Sequence, residues 1–498
     1  MKRKHLFFIP LIVLINASAY PQFHVFFGNL HSHTSYSDGS LTPTDAYNHA
    51  RNVAGIDFLA VTEHNHVQAP SRIAVDHELY SGAGSASLIS TAHRLNDDGH
   101  FVAIYGQEFS SISSSNHANV FEVGEVISTD DVPNGQWDKL LNTWLPGHSD
   151  SQGQPAIMLL NHPSISSCPN NVEYGIDDFT NQADWRNALD AHAHLINIIN
   201  GPAKNENEPE HDSEGEFLRY LNLGLHVAPT ADQDNHLPNW GDAASTRTGV
   251  IAASLTKANI LDALRNRHVY ASQDSNLRVI GKVNGQLMGK RFTGAEVPAT
   301  GTDLQMELDI KDNDEPNAIY TIDVYSDVIG GTSQADVIKQ FTKTGDGIIN
   351  LSGIKYTEVN QYFFVKITQS DPDFHETDRA WLAPVWFEPN AATSAAVNVP
   401  ALTLSVNEAL EEAVITNISD SEINLKNWVV RSVIGDQRFT FSANLMLASG
   451  ASVTVTSGSN AKQQLPQFVK WITANMWSNS GDPGQLIDPA GIVRAETQ

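Results

Sequence analysis

The chain has 498 residues, 41% of them hydrophobic, a formal net charge of -27 and one cysteine, Cys168. At about 150 residues per domain this length predicts about three domains with sizeable cores, and a single thiol excludes any internal disulfide. The acidic balance repels polyanions, which excludes scanning of duplex nucleic acid on basic phosphate contacts. Small phosphorylated substrates stay open, because bound cations reverse the local field.

Residues 1–19 combine Lys2, Arg3 and Lys4 with an apolar stretch over 6–15 and Ala17, Ser18 and Ala19 as a small-residue cleavage site. This reads as a secretory signal peptide cleaved near Ala19. Its apolar part is about half the ~20 residues a transmembrane helix needs, so no membrane span is expected here, nor later in the chain. The mature protein is expected to be secreted or periplasmic. The apolar run 24–27 then reads as a β-strand, and His31 and His33 lie just beyond it. Strand side chains alternate, so two steps of ~3.3 Å put these imidazoles on one face, within reach of a shared metal.

Thr42 is placed to cap a helix with Pro43 at its first position. The apolar face of that helix runs through Ala46, Tyr47, Ala50, Val53 and Ala54, and Gly55 stops it. A strand over 57–62 ends at Glu63, His64, Asn65 and His66, and further strands are expected over 101–105, 120–123, 156–160, 195–199 and 226–228. Strands alternating with helices predict a mainly parallel α/β domain over residues 24–275. Its polar residues cluster just past the strand ends, where such folds build their sites.

Beyond Asp274 the pattern turns to period-two alternation, as over 304–310, 320–325 and 362–367, which predicts a β-sandwich-like domain over 276–390. An Ala-, Asn-, Ser- and Thr-rich stretch reads as a linker over 391–400, and alternation resumes over 401–498. The acidic turn 309–314 lacks the glycine and final glutamate of an EF-hand loop, so it reads as a solvated loop. Cys168 reads as a buried thiol, and His192, His194, His211 and His226 as structural or surface histidines.

The candidate metal ligands are His31, His33, Asp38, His64, Glu108, His117, His162, Asp234 and His236, with Asp232 competing for the place of Asp234. These nitrogen and oxygen donors suit Zn²⁺, Mn²⁺ or Fe²⁺ and argue against Cu(I) or iron–sulfur. The set is too large for one tetrahedral ion and fits two or three. A purely structural polar network is disfavoured, since buried imidazoles and carboxylates are costly without cations. His66 is a candidate general acid, or a hydrogen-bond partner of a ligand. Arg247 is a candidate phosphate clamp, with a surface salt bridge as the plainer reading.

His31-Ser-His33 with Tyr36-Ser-Asp-Gly39, then Val61-Thr-Glu-His64-Asn65, Gly106-Gln-Glu108, Asn161-His-Pro163 and Asp234-Asn-His236 resemble, in order, the motifs of the PHP superfamily. These polymerase and histidinol phosphatase relatives are metal-dependent phosphoesterases, and the resemblance covers about half the chain. It implies a distorted (β/α)7 barrel holding two or three divalent ions (Zn, Mn or Fe). His31, His33, Glu108 and Asp234 would hold the first. Glu108 would bridge to a second held by His117 and His162, and Asp38, His64 and His236 would hold a third. Residues 401–498 resemble a lamin-tail domain, an immunoglobulin-like β-sandwich, through Glu412 to Asn417, Ile423 to Trp428, Gly435 to Phe441, Leu447 to Gly450 and Trp477 to Asp482. Trp428 and Trp477 are expected to anchor its core.

The resulting expectation is a secreted metal-dependent hydrolase of phosphate mono- or diesters that uses a metal-activated hydroxide. Carbamate or carboxylic-ester hydrolysis on the same metals is the second reading, since the secreted PHP branch resembles such enzymes. A surface-binding or adhesive protein with a degenerate barrel is the third. The expected partner is a small phosphorylated or ester substrate, not duplex nucleic acid, with cell-surface or envelope association through the lamin-tail domain.

Overall fold

The computed structural model describes residues 23–109, 116–163, 174–204, 209–331, 335–370, 377–389, 402–418, 422–435, 437–478, 481–487 and 493–497. The expected signal peptide over 1–19, the linker over 391–400 and Cys168 lie outside the described residues. Among the described residues no helix is long and apolar enough to cross a membrane.

The principal elements of the first half are β1 (His24–Asn29), α1 (Pro43–His49), β2 (Phe58–His64), α2 (Leu88–Leu95), β3 (Val102–Phe109), β4 (His117–Phe121) and β5 (Ile157–Asn161). There follow α3 (Gln182–His192), β6 (Ala193–Asn200), α4 (Glu214–Asn222), β7 (Ala228–Asp232), β8 (Arg247–Ala252), α5 (Lys257–Arg265) and β9 (Val269–Ser272). Helix α1 starts where its sequence dictates: the Thr42 hydroxyl accepts the Asp45 amide, and Asp45 returns a bond to the Thr42 amide. It ends differently, as a π-helical turn over Ala50–Ala54 closed by left-handed Gly55. The wider turn rotates the face, so Val53, expected inside, is 66% exposed.

The strands are mixed rather than uniformly parallel. β1 pairs with β2, β2 with β3, β5 with β6 and β6 with β7 in parallel, whereas β3–β4, β4–β5, β1–β8 and β8–β9 are antiparallel. The connection from Phe109 to His117 is too short for a crossover helix, so β4 must return antiparallel. This departs from the regular alternation of the expected (β/α)7 barrel. No backbone ladder joins β7 to β8 among the described residues, although the Thr248 hydroxyl lies 3.0 Å from the Ala231 amide and 3.1 Å from its carbonyl. The observed architecture is a large mixed sheet in which that side chain links β7 to β8.

Burial holds this sheet. Phe58, Leu59, Ala60 and Val61 of β2 are fully buried, as are Ile157 to Leu160 of β5, and each large apolar side chain contributes about 1.5–3 kcal/mol. β9 continues the sheet into the next segment by pairing with Thr377–Leu382. There β10 (Arg278–Val283), β11 (Asp303–Lys311) and β14 (Gly347–Lys355) form one layer, and β12 (Ile319–Val328), β13 (Asp336–Thr344) and β15 (Gln361–Ser370) belong to the other. Leu304, Met306, Leu308 and Ile310 face Tyr320, Ile322, Val324, Val365 and Ile367 in one core, as period-two alternation requires. Farther on, a separate core gathers Ala413, Ile415, Leu425, Trp428, Val430, Val453 and Leu486, and Trp477 is buried beside them.

Candidate metal centre

Every candidate ligand reaches one edge of the sheet. His31 and His33 follow β1, His64 ends β2, Glu108 lies near the end of β3, His162 follows β5, and Asp234 and His236 follow β7. His117 is the first residue of β4, yet it joins the same edge because β4 runs the other way: it faces Asn161, while Glu108 faces Asn119. Asp38 comes from the loop between β1 and α1. Gly39 closes that loop against His33, where a Cβ would sit 2.7 Å from the His33 carbonyl oxygen. His162 and Asp234 hold left-handed φ values of 25° and 51°. Such backbone strain is typical of functional positions.

The donor atoms interlock. His31 Nε2 is 3.2 Å from His33 Nε2, 3.4 Å from Glu108 Oε1 and 3.3 Å from Asp234 Oδ1. His33 Nε2 is 3.3 Å from Glu108 Oε2 and 3.2 Å from Asp234 Oδ1. Donors placed tetrahedrally at 2.0–2.1 Å from a shared ion would be about 3.3–3.4 Å apart, so the residues fit one. Glu108 Oε1 also stands 3.0 Å from His117 Nδ1 and 3.3 Å from His162 Nε2, the composition of a second group. Asp38 Oδ1 is 3.4 Å from His64 Nε2 and 3.0 Å from His236 Nε2, the composition of a third. His33 stacks between His64 and His236, with ring centres 4.4 and 4.3 Å away. Four groups of these histidines and acids have donor atoms close enough to hold a metal ion: His33, Asp38, His64 and His236; His31, His162 and Asp234; His31, His33 and Glu108; and Glu108, His117 and His162.

The electrostatics are strongly coupled. Burial by itself would depress His33, but hydrogen bonds and charge from Asp234 and Glu108 outweigh it and hold His33 well above its ordinary value. Glu108 and Asp234 are held well below the usual carboxylate range against their own burial, chiefly by the charge of His31 and, in turn, by His64 and His33. Burial lowers His64.

Around the ligands lies a web that the sequence pattern does not reveal. His33 Nδ1 is 3.2 Å from the Ser37 hydroxyl, which donates to Glu63; the Thr34 amide and hydroxyl donate to Glu63 as well. With Ser37 donating onward, His33 Nδ1–H is placed to donate to Ser37, an orientation that would leave Nε2 to face a metal once the ring is neutral. Asn161 donates to Glu108 Oε1 at 2.9 Å, Asn200 to Asp234 Oδ2 at 3.3 Å, and Asn29 to the Asn235 side chain at 3.1 Å. The signal for these asparagines is their position, each at a strand end or beside a ligand.

Asp232 is not a member of the cluster. Its Oδ1 accepts the Leu30 amide at 2.6 Å and its Oδ2 the Asn197 amide at 3.2 Å, so it ties β7 to β1 and β6. His66 is buried, its pKa is lowered by that burial, and its Nδ1 accepts the Gln68 amide at 3.3 Å; it shares no donor group with the nine. Arg247, also buried, gives Nη1 to the Ala244 and Thr246 carbonyls at 2.7 Å each, and burial lowers it to about 10. A residue that pattern reading passed over, Lys204, is 61% exposed at the rim with Nζ 2.9 Å from Asp38 Oδ2.

Residues 399–498 match the family model of the lamin tail domain. Comparison with curated proteins gives no match. Among solved structures the chain is similar to a two-domain protein from Bacteroides vulgatus that contains a predicted PHP-like metal-dependent phosphoesterase. That likeness has 15% identity and a TM-score of 0.37, over 72% of this chain and 96% of that one. It is also similar to the YadV chaperone at 8% identity, with a TM-score of 0.18, over 45% of this chain and 98% of that one.

Proposed function

We propose that the protein is a metal-dependent hydrolase of phosphate esters. The observation that carries this reading is the interlocked donor set in which Glu108 lies within 3.4 Å of His31, His33, His64, His117 and His162. A bridging carboxylate among so many imidazoles is the arrangement that two or three adjacent divalent ions require. Such ions, when bound, acidify water and polarise the ester oxygen.

The residues of this chain would do the rest. His31, His33, Glu108 and Asp234 form the first group, His117 and His162 complete the second, and Asp38, His64 and His236 the third. Lys204 supplies a positive charge at the rim, which favours an anionic ester over a neutral carbamate. His66 is the proposed proton donor to the leaving group, and the remaining N–H groups of Arg247 are the proposed phosphate clamp. In this reading residues 24–275 are the hydrolase domain, 276–390 a β-rich domain packed against it, and 401–498 a lamin-tail unit that holds the secreted enzyme at a surface or envelope.

The test is a panel of chromogenic phosphomonoesters, phosphodiesters and aryl carbamates, assayed with the full chain reconstituted with Zn²⁺, Mn²⁺ or Fe²⁺. Turnover of the phosphate esters is expected. Turnover of carbamates alone would replace this reading with the carbonyl-ester one, and no turnover together with no bound metal would leave a binding protein.

A further inference from the structure

A second cluster of donors lies far from the histidines in sequence and differs from them in chemistry. Asp274 follows β9, Asp312 and Glu315 follow β11, and their carboxylate oxygens converge within 4.8 Å of one another. Asp312 is fully buried and Asp274 nearly so, which corrects the solvated-loop reading of residues 309–314 at Asp312, while Asp309, Asn313 and Asp314 are exposed. The loop turns inward because Asp312 Oδ1 accepts the Asp314 and Glu315 amides at 3.3 and 3.2 Å.

Gln369 on β15 reaches into the cluster. Its Nε2 is 3.4 Å from Asp274 Oδ2 and 2.9 Å from Asp312 Oδ2, and it also bonds to Glu315. One amide nitrogen with two protons and no net charge therefore stands where three carboxylate oxygens meet. The other amide atom, Gln369 Oε1, is buried without a partner, and the side chain is 1% exposed. Directly across the ladder is Tyr320, fully buried, whose hydroxyl also lacks a partner. That phenol is pushed up by burial and then by Asp312, Asp346, Asp274 and Glu315, which places it in the field of this cluster.

We propose that Asp274, Asp312 and Glu315, with the Gln369 amide turned to present Oε1, bind one hard divalent cation of the calcium type at the junction of the hydrolase sheet and the β-rich layers. An oxygen-only set with carboxylates from two separate turns suits Ca²⁺, which accepts irregular coordination. Mg²⁺ demands a near-ideal octahedron, and transition metals prefer the imidazoles elsewhere in the chain. The cation would neutralise charges brought together only by folding, and so would lock the turn after β9 to the turn after β11. This inference does not depend on the reaction at the histidine centre.

The full chain, stripped by chelation, is titrated with Ca²⁺ and followed by calorimetry and thermal unfolding. Expected is one Ca²⁺ per chain with Kd on the order of 0.1–1 mM or tighter, as for extracellular modules, and a rise of several degrees in Tm. A chain carrying His31→Ala and His33→Ala keeps both responses. Asp312→Asn loses both; in chelator it is at least as stable as the unmodified chain, because one repelling carboxylate is gone. If that variant does not fold, Gln369→Leu serves, with weakened Ca²⁺ binding expected. Absence of heat and of any Tm shift in the unmodified chain would mean that the carboxylates share protons instead, and would overturn the site. So would a full Ca²⁺ response in Asp312→Asn or Gln369→Leu.

Discussion

Glu108 Oε1 lies 3.0 Å from His117 Nδ1, and this contact joins the first two donor groups through one buried carboxylate. Replacing Glu108 by Gln keeps the shape but removes the bridging negative charge. The expected outcome is loss of at least one bound ion per chain, read by elemental analysis, with turnover reduced by a factor of about 10²–10⁴, the range ascribed to loss of a positioned catalytic group. Full metal content in this variant would remove Glu108 from the bridging role.

Glu63 touches no other carboxylate of the centre; it holds Ser37 and Thr34, and Ser37 in turn holds His33. Glu63→Gln is therefore expected to weaken metal affinity about 10–100-fold while leaving the circular dichroism spectrum unchanged. A competition titration against a fluorescent zinc chelator measures it. Unchanged affinity would show that the His33 ring is oriented by packing alone.

His226 connects Asp190 on α3 to Glu388 near the end of the β-rich segment, at 2.9 and 3.0 Å. Burial opposes its charge, but Asp190 and then Glu388 raise it above 6.5, while Asp190 itself falls to about 2, against burial, chiefly through the charge of His226. The raised histidine stabilises fully below 6.5 and loses its contribution as pH rises through its folded value. The lowered aspartate stabilises fully above 3.8 and loses its contribution as pH falls through about 2. Glu388, likewise lowered from 4.5, contributes fully only above that value, so the trio contributes most between 4.5 and 6.5. His226→Gln is expected to cost about 3 kcal/mol within that window and to flatten the fall in Tm above it, measured by calorimetry on chelated protein across pH.

Trp428 is fully buried in the C-terminal core. Trp428→Ala is expected to destabilise that unit by about 3–5 kcal/mol. Limited proteolysis should then cut within residues 402–497 first, with metal content and turnover at the histidine centre unchanged. Loss of metal in this variant would mean that the C-terminal unit supports the centre directly.

The sequence by itself determined the chemistry of the centre. His31, His33, Asp38, His64, Glu108, His117, His162, Asp234 and His236, most of them at strand ends, restrict it to nitrogen and oxygen donors, and Thr42 with Pro43 predicts where α1 starts. These are local facts, set by period, capping and side-chain type. Tertiary structure decided what depends on backbone direction across long separations. It turned Asp234 rather than Asp232 toward the imidazoles through a left-handed φ, and it brought His117 to the ligand edge by running β4 antiparallel. It also assembled the asparagine web and carried Asp312 from an apparently solvated turn into a buried cluster. A strand pattern specifies which face a residue occupies, but the partner on that face comes from another strand, and pairing is settled by the packing of the whole sheet.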